Sequence, residues 1–447
     1  MLLVSHRFPP DSVAGVERIT QSLAAELVRR GDTVTVVTRR TLPPPSQPQR
    51  ILERLPDGTR LVRLVGGEMS LDRPFLHHER LDSQFAHTLV SAEPDVVHFL
   101  HLVGLSPRFV EIARALCVPV VLELQGFYFA CPVVHLQKRS GELCQGPDGG
   151  RECASTCFAD GEPATLLRWG LRSAYFRSIL GTAQRIVCPS RYVAAFFERF
   201  GADPQCVSVL PNGITIDSDA RPIAELATPR QRGTFNVAFI GTVVAHKGVH
   251  LIIEALRLAR LESVALTVIG SVADPRYASS LRSMAAEIEG LTLRFYGEYE
   301  PQVLRHLLHD EDCVVTPSLV PEAGPICPRE ALANGVPVIS SRLGALPEIV
   351  IDGDNGMTFD HRRPHELAAI LRHISEDEAL LQRLRQGARA TALATFATRT
   401  RALRTLYEKA IDAAGGDVGE PSRLVEADVL RHVLLDSGLD GRAPVPA

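Results

Sequence analysis

Two glutamates stand eight positions apart where a predicted strand gives way to a predicted helix. In the segment 317–333, PSLVPEAGPICPREALA, Glu322 falls in the turn and Glu330 lies about two turns further on. The first turn of a helix has free N–H groups and the positive end of the dipole, which suit a diphosphate or a hydroxyl-rich sugar. An acidic side chain such as Glu330 can accept hydrogen bonds from two ribose hydroxyls, which would leave Glu322 to face the sugar.

We predict that this helix begins near Ala323. Pro325 and Pro328 fit there because the N–H groups in or near the first turn of a helix have no helical acceptor, so proline loses no hydrogen bond in that position. An ordinary helix cap at Glu322 and a solvated Glu330 form the alternative, and the spacing alone leaves both readings open. The backbone expected to contact the ligand is that of Ala323, Gly324, Pro325 and Ile326.

A second strand-to-helix segment, 239–248, reads FIGTVVAHKG. Lys247 at the helix entrance can place a point charge on a phosphate, and Gly241 and Thr242 lie in the loop that leads from the same predicted strand to this helix. An ordinary surface lysine before a helix is the alternative. We predict that Gly241, Thr242 and Lys247 contribute to the same ligand site.

A third loop, 8–18, follows the first predicted strand and is rich in small residues. Such a loop lets backbone amides approach a phosphate or a second substrate closely. Gly15 is the residue that we expect to permit this approach.

These loops must be positioned by parallel βαβ units, because short Val-, Ile- and Leu-rich runs alternate along the chain with segments of helical spacing. Ile19, Leu23 and Leu27 share one face of the first helix, and Val249, Ile252 and Ile253 do so after the restart of the pattern. Strands are predicted at 2–5, 33–38, 95–100, 118–124, 185–189 and 207–210, and then at 235–240, 265–269, 293–296, 313–316 and 336–340.

The length of 447 residues exceeds what one hydrophobic core usually serves, so two domains are expected. The chain turns polar between Thr228 and Gly233, which predicts a linker. We predict Rossmann-like domains at 1–224 and 225–398, a helix at 399–415 and a polar, loosely docked tail at 416–447. Two doubly wound domains in tandem predict a ligand cleft at the carboxyl ends of their strands.

Composition excludes several classes of protein. Hydrophobic residues make up 45% of the chain and charged residues 22%, and no apolar run approaches the length that spans a bilayer. The formal net charge of −4 offers no general attraction for nucleic acid. The opening MLLVSHR lacks a basic region and a long apolar stretch, so it predicts a first strand and a cytoplasmic protein rather than a signal peptide.

The glutamate run, together with GVPVIS at 335–340 and GALPE at 344–348, resembles the donor site of the retaining glycosyltransferases of family 4. The resemblance extends up to about Gly415. It implies a GT-B fold, which is an α/β fold of two facing Rossmann-like domains with parallel sheets. It also implies a nucleotide-diphosphate sugar donor on the second domain, an acceptor on the first, and a last helix that returns to the first domain.

The resemblance assigns roles to the donor residues. In the family the two glutamates bind the donor sugar and the ribose, and a lysine in the position of Lys247 binds the diphosphate. The family often has an arginine directly after the glycine of the second segment, where this chain has Thr242. In the first loop the family has two adjacent glycines, where this chain has Ala14 before Gly15.

The resemblance also assigns candidate catalytic residues on the first domain. After the strand 118–124, many relatives have a histidine near the reacting sugar, and this chain has Gln125. Glutamine donates and accepts hydrogen bonds but does not titrate. His98 matches a histidine frequent in the family, although a histidine at a strand end often serves packing. Transfer in the family proceeds on one face of the sugar, with the leaving phosphate taking the acceptor proton, and the resemblance implies no catalytic metal. The catalytic candidates are Glu322, Gln125 and His98.

Four of the nine cysteines fall in one glycine-rich segment, the insertion 131–157. They are Cys131, Cys144, Cys153 and Cys157, and a subset of the family has such an insertion. In a reducing compartment clustered thiols favour a structural zinc over disulfides, with four unrelated thiols as the alternative. The other five cysteines, at positions 117, 188, 206, 313 and 327, are expected to be core thiols.

The segment 166–180 carries Trp169, Tyr175 and Phe176 among several arginines. Such a helix can lie on a membrane and present a lipid-linked acceptor, which keeps a peripheral contact with the inner membrane face open. An ordinary helix with its aromatic face inward is favoured.

The sequence therefore predicts a retaining hexosyltransferase that uses a UDP-, GDP- or ADP-sugar and a glycan, a lipid-linked acceptor or a small molecule. A catalytically silent nucleotide-sugar-binding protein is the alternative, because of Thr242 and Gln125. A nucleotide-sugar epimerase is a further alternative that the glutamate run disfavours. The donor base, the acceptor and the oligomeric state stay open.

Overall fold

The computed structural model describes residues 1–12, 14–41, 50–66, 78–160, 162–215 and 233–416. The predicted boundary at 224/225, nearly all of the predicted linker and the tail from residue 417 onward lie outside these described residues. No helix within the described ranges is both long enough and apolar enough to cross a bilayer.

The chain divides into two compact units, each built on its own sheet. The first runs from Met1 to Pro211 and also contains the last described helix, which begins at Phe396. The second runs from Asn212 to Thr395.

The first unit contains an eight-stranded sheet in the order β3-β4-β2-β1-β5-β6-β7-β8. All neighbours are parallel except β3 and β4. The central strands are buried because helices cover both faces, as expected of doubly wound folds. The strands are β1 Leu2–Val4, β2 Thr35–Thr41, β3 Arg50–Arg54, β4 Arg60–Gly66, β5 Val97–Phe99, β6 Val120–Glu123, β7 Arg185–Cys188 and β8 Val207–Val209.

All six strands predicted for this half are present, whereas β3 and β4 were not predicted. The sequence of β3, RILER, is polar because the strand lies at the sheet edge, with Leu52 exposed. An edge strand need not be apolar on both faces, so the apolar-run criterion misses it.

The helices of the first unit bury the faces that the sequence predicted. In α1 the side chains of Ile19, Leu23 and Leu27 are buried. In α4 Trp169 and Phe176 are buried, which confirms the inward aromatic face. The helices are α1 Gly15–Arg29, α2 Glu79–Ala92, α3 Arg108–Ala115, α4 Pro163–Leu180, α5 Arg191–Phe200 and α12 Phe396–Gly416.

The second unit contains a six-stranded, fully parallel sheet in the order β11-β10-β9-β12-β13-β14. Its strands are β9 Phe235–Ile240, β10 Val264–Ile269, β11 Leu291–Gly297, β12 Cys313–Thr316, β13 Val338–Ser341 and β14 Gly356–Phe359. Only β14 was not predicted. Its helices are α6 Val249–Ala259, α7 Pro275–Ala286, α8 Pro301–Leu308, α9 Cys327–Ala333, α10 Pro364–Glu376 and α11 Glu378–Ala390.

The five cysteines outside the insertion are not all core thiols, as the sequence had suggested. Cys188 and Cys313 are buried, Cys206 and Cys327 are half-buried, and Cys117 is exposed. Cys117 has a φ of 55° in the turn between α3 and β6, so its position follows from the turn rather than from the apolar residues around it.

Candidate active site

In the second unit, β9 and β12 are neighbours, so the loops that follow them meet at the carboxyl edge of the sheet. The loop after β9 contains Lys247 and the loop after β12 contains Glu322. Their side chains form an ion pair, with 2.7 Å between Lys247 Nζ and Glu322 Oε1. The hydroxyl of Ser318 also donates to the Glu322 carboxylate. Two predicted ligand residues are therefore brought into contact.

The charges of this pair are stabilised by each other. Burial alone would raise the pKa of Glu322, but Lys247, Ser318 and His246 together hold it below its usual value. Burial would lower the pKa of Lys247, and Glu322 instead raises it. Both side chains keep some exposure, 29% for Lys247 and 12% for Glu322, so a ligand can reach the pair.

The position of Lys247 depends on a close backbone contact at Gly248. Lys247 ends a single 3₁₀ turn that begins at Ala245, and Gly248 follows with a φ of 75°. A Cβ atom at Gly248 would lie 2.1 Å from the Pro317 carbonyl oxygen. The N–H of Leu319 donates to the His246 carbonyl at 2.9 Å, which ties the two loops together. Any side chain at residue 248 would therefore separate Lys247 from Glu322.

The motif GALPE at 344–348 contacts the backbone of Glu322. The N–H of Ala345 donates to the Glu322 carbonyl at 2.8 Å. Gly344 has a φ of 60°, and a Cβ atom there would lie 2.3 Å from the same carbonyl oxygen. Lys247 and the GALPE motif thus both contact Glu322, the first through its side chain and the second through its backbone.

The helix α9 begins at Cys327, so the predicted start near Ala323 is wrong by four residues. Pro328, rather than Pro325, occupies the first turn, where a missing N–H group is tolerated. The residues from Ala323 to Ile326 precede the helix as a loop, and the Asn212 side-chain amide donates to the Gly324 carbonyl at 2.8 Å.

Glu330 lies in the first turn of α9, and Tyr299 contacts its carboxylate. The Tyr299 hydroxyl donates to Glu330 Oε2 at 3.1 Å. Tyr299 is 8% exposed and follows β11, at the same edge of the sheet. The sequence analysis missed Tyr299 because a tyrosine after a strand carries no distinctive spacing.

Gly241 and Thr242 lie directly after β9, as predicted. Gly241 has a φ of 146° and donates its N–H to the Ile269 carbonyl at 2.9 Å. Its own carbonyl oxygen would lie 2.0 Å from a Cβ atom at Gly270. The two glycines therefore allow the loops after β9 and β10 to pass closely.

In the first unit, His98 lies in a buried polar cluster. Its Nε2 atom is 3.1 Å from Glu123 Oε2, and its Nδ1 atom is 2.8 Å from the Tyr407 hydroxyl. Arg399 donates to Glu123 Oε1 at 2.6 Å. Burial would raise the pKa of Glu123, but Arg399 and His98 hold it far below its usual value. His98 is only 1% exposed and contacts both Glu123 and Tyr407.

Gln125 joins this cluster at the carboxyl end of β6. Its side-chain amide donates to Glu123 Oε1. The amide orientation is therefore fixed by a buried carboxylate, and the carbonyl oxygen is the atom with which Gln125 accepts hydrogen bonds.

A pair of histidines near the same edge was missed by the sequence analysis. The rings of His6 and His101 lie 4.5 Å apart, and His6 Nε2 is 3.4 Å from Glu17 Oε1. Burial lowers the pKa of both imidazoles, to about 4 for His6. These residues follow β1 and β5, and Gly15, the predicted loop residue, is the first residue of α1. Their separation in sequence gave no pattern that could have linked them.

The four cysteines of the insertion line one small cavity in the first unit. As the side chains stand, no three His, Cys, Asp or Glu residues in the described ranges are arranged to hold a metal ion. The expectation of zinc is therefore not confirmed by the arrangement.

Comparison with protein families matches both halves of the chain. The model described as Glycosyltransferase Family 4 matches residues 13–218, and the model described as Glycosyl transferases group 1 matches residues 227–391.

Curated relatives match over part of their length. The chain is 32% identical to a glycogen synthase of Mycobacterium tuberculosis, over 49% of this chain and 52% of the relative. It is 29% identical to a D-inositol 3-phosphate glycosyltransferase of Corynebacterium glutamicum, over 47% of this chain and 54% of the relative. The chain thus spans about half the length of the curated relatives that it matches.

Solved structures match over nearly the whole chain. Sucrose-phosphate synthase from Thermosynechococcus elongatus has a TM-score of 0.68 at 20% identity and covers 92% of this chain and 99% of its own. Anabaena HepE in complex with UDP and glucose has a TM-score of 0.64 at 16% identity, over 91% and 98%. At such identities the likeness concerns the fold. The chain is thus a member of the group 1, family 4 glycosyltransferases and has the α/β GT-B fold of that family.

Proposed function

We propose that this protein is a retaining glycosyltransferase that transfers a hexose from a nucleotide-diphosphate sugar to an acceptor hydroxyl. The observation that carries the proposal is the contact between Lys247 and Glu322 at the carboxyl edge of the second sheet, with Glu330 at the same edge. A cation and two carboxylates fit a diphosphate, a hexose and a ribose respectively.

In the proposed complex Lys247 binds the donor diphosphate. Lys247 then faces phosphate oxygens instead of the Glu322 carboxylate, and sugar hydroxyls donate to Glu322 in its place. The Ser318 hydroxyl still donates to Glu322 and favours its ionised form, so this carboxylate can accept sugar hydroxyls. The donor thus replaces the ion pair between Lys247 and Glu322 with two charge-assisted contacts, one from Lys247 to a phosphate and one from a sugar hydroxyl to Glu322.

Glu330 accepts hydrogen bonds from the ribose hydroxyls in this proposal. The Tyr299 hydroxyl donates to one of its oxygens and so fixes the plane of the carboxylate. Tyr299 is therefore a positioning residue for ribose recognition. The backbone from Ala323 to Ile326, together with Gly241 and Thr242, would contact the diphosphate and the sugar.

The transfer step needs a stabilised leaving group. The acceptor oxygen attacks the anomeric carbon on the face from which the diphosphate leaves, the bond from that carbon to the phosphate oxygen breaks, and the departing phosphate takes the acceptor proton. Lys247 stabilises the charge that develops on the phosphate, so the proposal requires no catalytic metal.

The acceptor is proposed to bind the first unit, near the residues that follow β1 and β6. Gln125 would accept a hydroxyl through its carbonyl oxygen, while its side-chain amide donates to Glu123. His98 would position Gln125 through Glu123 rather than touch substrate. Backbone amides near Gly15 would approach the acceptor.

A panel of UDP-, GDP- and ADP-sugars tests the proposal by thermal stabilisation, because a specific ligand raises the melting temperature by mass action. We expect one donor class to stabilise the protein, and Lys247→Met and Glu330→Gln to remove that effect. Matched controls are Lys409→Met in α12 and Glu287→Gln at the end of α7, both of which change exposed side chains. If the two site variants respond like the controls, the proposal is wrong.

Product analysis separates the proposal from its alternatives. Transfer with retained anomeric configuration, measured by NMR, supports it. Donor binding without transfer or hydrolysis across an acceptor panel would favour the catalytically silent protein that Gln125 and Thr242 suggest. A changed sugar configuration without transfer would instead favour an epimerase.

A further inference from the structure

The proposed reaction makes no use of the cysteine insertion, although the fold brings its four thiols together. Cys131, Cys144, Cys153 and Cys157 all line one cavity of about 10 Å³, roughly the space of one water molecule. They come from three separate parts of the segment between β6 and α4, up to 26 positions apart. Four unrelated thiols would have no reason to converge on so small a space.

Three of the four thiols are buried, and backbone N–H groups point at the sulfurs of Cys131 and Cys144. Cys131, Cys153 and Cys157 are each 7% exposed. The N–H of Gly146 points at the sulfur of Cys144, 3.4 Å away, and the backbone of Val133 and Leu136 hydrogen-bonds to Cys131. Hydrogen bonds of this kind to the ligand atoms commonly orient the ligands of a metal site.

A buried arginine beside the cavity provides the second observation. Arg172 on α4 is 4% exposed and donates to the carbonyls of Tyr128 at 2.6 Å and Ala130 at 3.4 Å. Within the described part of the chain it forms no ion pair with a carboxylate, and the acidic groups that act on it are Tyr128, Cys131 and Cys153. A buried cation without a countercharge is costly.

One ligand explains both observations. Four thiolates around a divalent zinc carry an excess of two negative charges, which is the countercharge that Arg172 lacks. Protonated thiols carry no charge, so the guanidinium then faces neutral groups, among them two carbonyls and the rings of Tyr128 and Phe176. Two disulfides would also leave it uncompensated, and they require an oxidant.

We propose that Cys131, Cys144, Cys153 and Cys157 bind one zinc ion, with Arg172 as its buried countercharge. Binding releases four thiol protons, and each side chain turns about its Cα–Cβ bond so that four Zn–S bonds of about 2.3 Å form. This rotation is necessary because the thiols line the cavity without yet forming a ligand set.

The zinc would fix the segment that leads away from Gln125. Cys131 follows Gln125 by six positions, and Cys157 lies just before α4. The insertion already packs tightly on α4, since a Cβ atom at Gly150 would lie 2.3 Å from the carbonyl carbon of Trp169. The ion would join this packed loop to the carboxyl end of β6.

The metal content of the purified full chain tests the site independently of glycosyl transfer. We expect one zinc per chain by elemental analysis, released by a mercurial reagent as four thiols react. Cobalt substitution should give the visible and charge-transfer bands of tetrahedral thiolate ligation. Cys153→Ser and Cys157→Ser should lose the zinc, whereas Cys117→Ser and Cys206→Ser should keep it.

Arg172→Met tests the countercharge, with Arg168→Met on the exposed face of the same helix as its control. We expect Arg172→Met to weaken zinc binding about 10- to 100-fold in a chelator competition, and Arg168→Met to leave it unchanged. Circular dichroism of each variant verifies folding.

Three results would overturn the proposal. The first is wild-type protein, prepared without chelator and refolded with zinc, that holds no stoichiometric metal. The second is a mass spectrum that shows disulfides among these four cysteines. The third is equal zinc in folded Cys153→Ser and in the wild type, which would place the metal elsewhere.

Discussion

Each unit holds an acidic side chain against a cation near the carboxyl edge of its sheet, but the two pairs differ in burial. Glu123 and Arg399 in the first unit have no exposed side-chain surface, whereas Glu322 and Lys247 in the second keep 12% and 29%. A buried pair must remain intact, because breaking it leaves an uncompensated charge. A partly exposed pair can exchange one partner for a ligand. This difference indicates that the pair in the first unit supports the structure, while the pair in the second unit is suited to binding a ligand.

The largest expected effect concerns the buried pair. Arg399→Met leaves Glu123 and His98 without their cation, so we expect the free energy of unfolding to fall by about 3–5 kcal/mol. Urea denaturation measures this change. Arg401→Met, on the exposed side of the same helix, should alter stability by less than about 0.5 kcal/mol. If Arg399→Met lowers the free energy of unfolding no more than Arg401→Met does, the buried pair is not structurally required and the two pairs do not differ in this way.

The second effect concerns ligand binding at the exposed pair. Lys247→Met removes a charge-assisted contact to phosphate, so donor affinity should fall by about 1.5–3 kcal/mol, or roughly 10- to 150-fold. Calorimetric titration with the stabilising donor measures it, with Lys409→Met as the control. Unchanged affinity would show that this pair is structural, like the buried one.

A smaller effect should appear at the ribose. Tyr299→Phe removes one hydrogen bond to Glu330 while keeping the ring, so donor affinity should fall by about 1 kcal/mol. The loss should be smaller for a 2′-deoxyribonucleotide donor, since one of the hydroxyls that Glu330 accepts is then missing. An equal loss for both donors would mean that Tyr299 does not act through ribose recognition.

The smallest effect is the dependence of stability on pH. Glu322 has a lowered pKa, so its contribution is present above its unfolded value of about 4.5 and is lost as the pH falls through the lower folded value. Lys247 has a raised pKa, so its contribution is present below about 10.5 and is lost as the pH rises through the higher folded value.

Because both side chains retain exposure, the pair should contribute less than about 1 kcal/mol. The difference in melting temperature between the wild type and Lys247→Met should therefore be small between pH 4.5 and 10.5, and it should decline as the pH falls through the lowered pKa of Glu322 or rises through the raised pKa of Lys247. A difference that grows on acidification would contradict the assigned pairing.

Much of the fold could be predicted because parallel strands buried on both faces are uniformly apolar. The runs at β1, β9 and β12 have this character, and the helix pattern of α1 follows the 3.6-residue period. The polar edge strand β3 lacks it, and its assignment depends on pairing with β4, which only tertiary structure provides.

The candidate site was predictable where it depended on local sequence. The run at 317–333 and the segment at 239–248 identified Glu322, Glu330 and Lys247 without knowledge of their contact. The start of α9 was misplaced because two prolines, Pro325 and Pro328, satisfy the same first-turn criterion. Which of them lies in the helix is decided by how the preceding loop is held.

Contacts between distant positions could not be predicted. Arg399 is 276 positions from Glu123 and Tyr407 is 309 positions from His98, and a single sequence carries no signal that links them. His98 is held against the distant Tyr407, whereas Gln125 is oriented by Glu123, only two positions away.

A structure of the protein with its stabilising nucleotide sugar tests the central claim most directly. We predict that Lys247 Nζ lies within hydrogen-bonding distance of the donor diphosphate, that Glu322 faces the sugar, and that the 2.7 Å contact between the two side chains is gone. A bound donor that leaves this ion pair intact and touches neither Lys247 nor Glu330 would contradict the account.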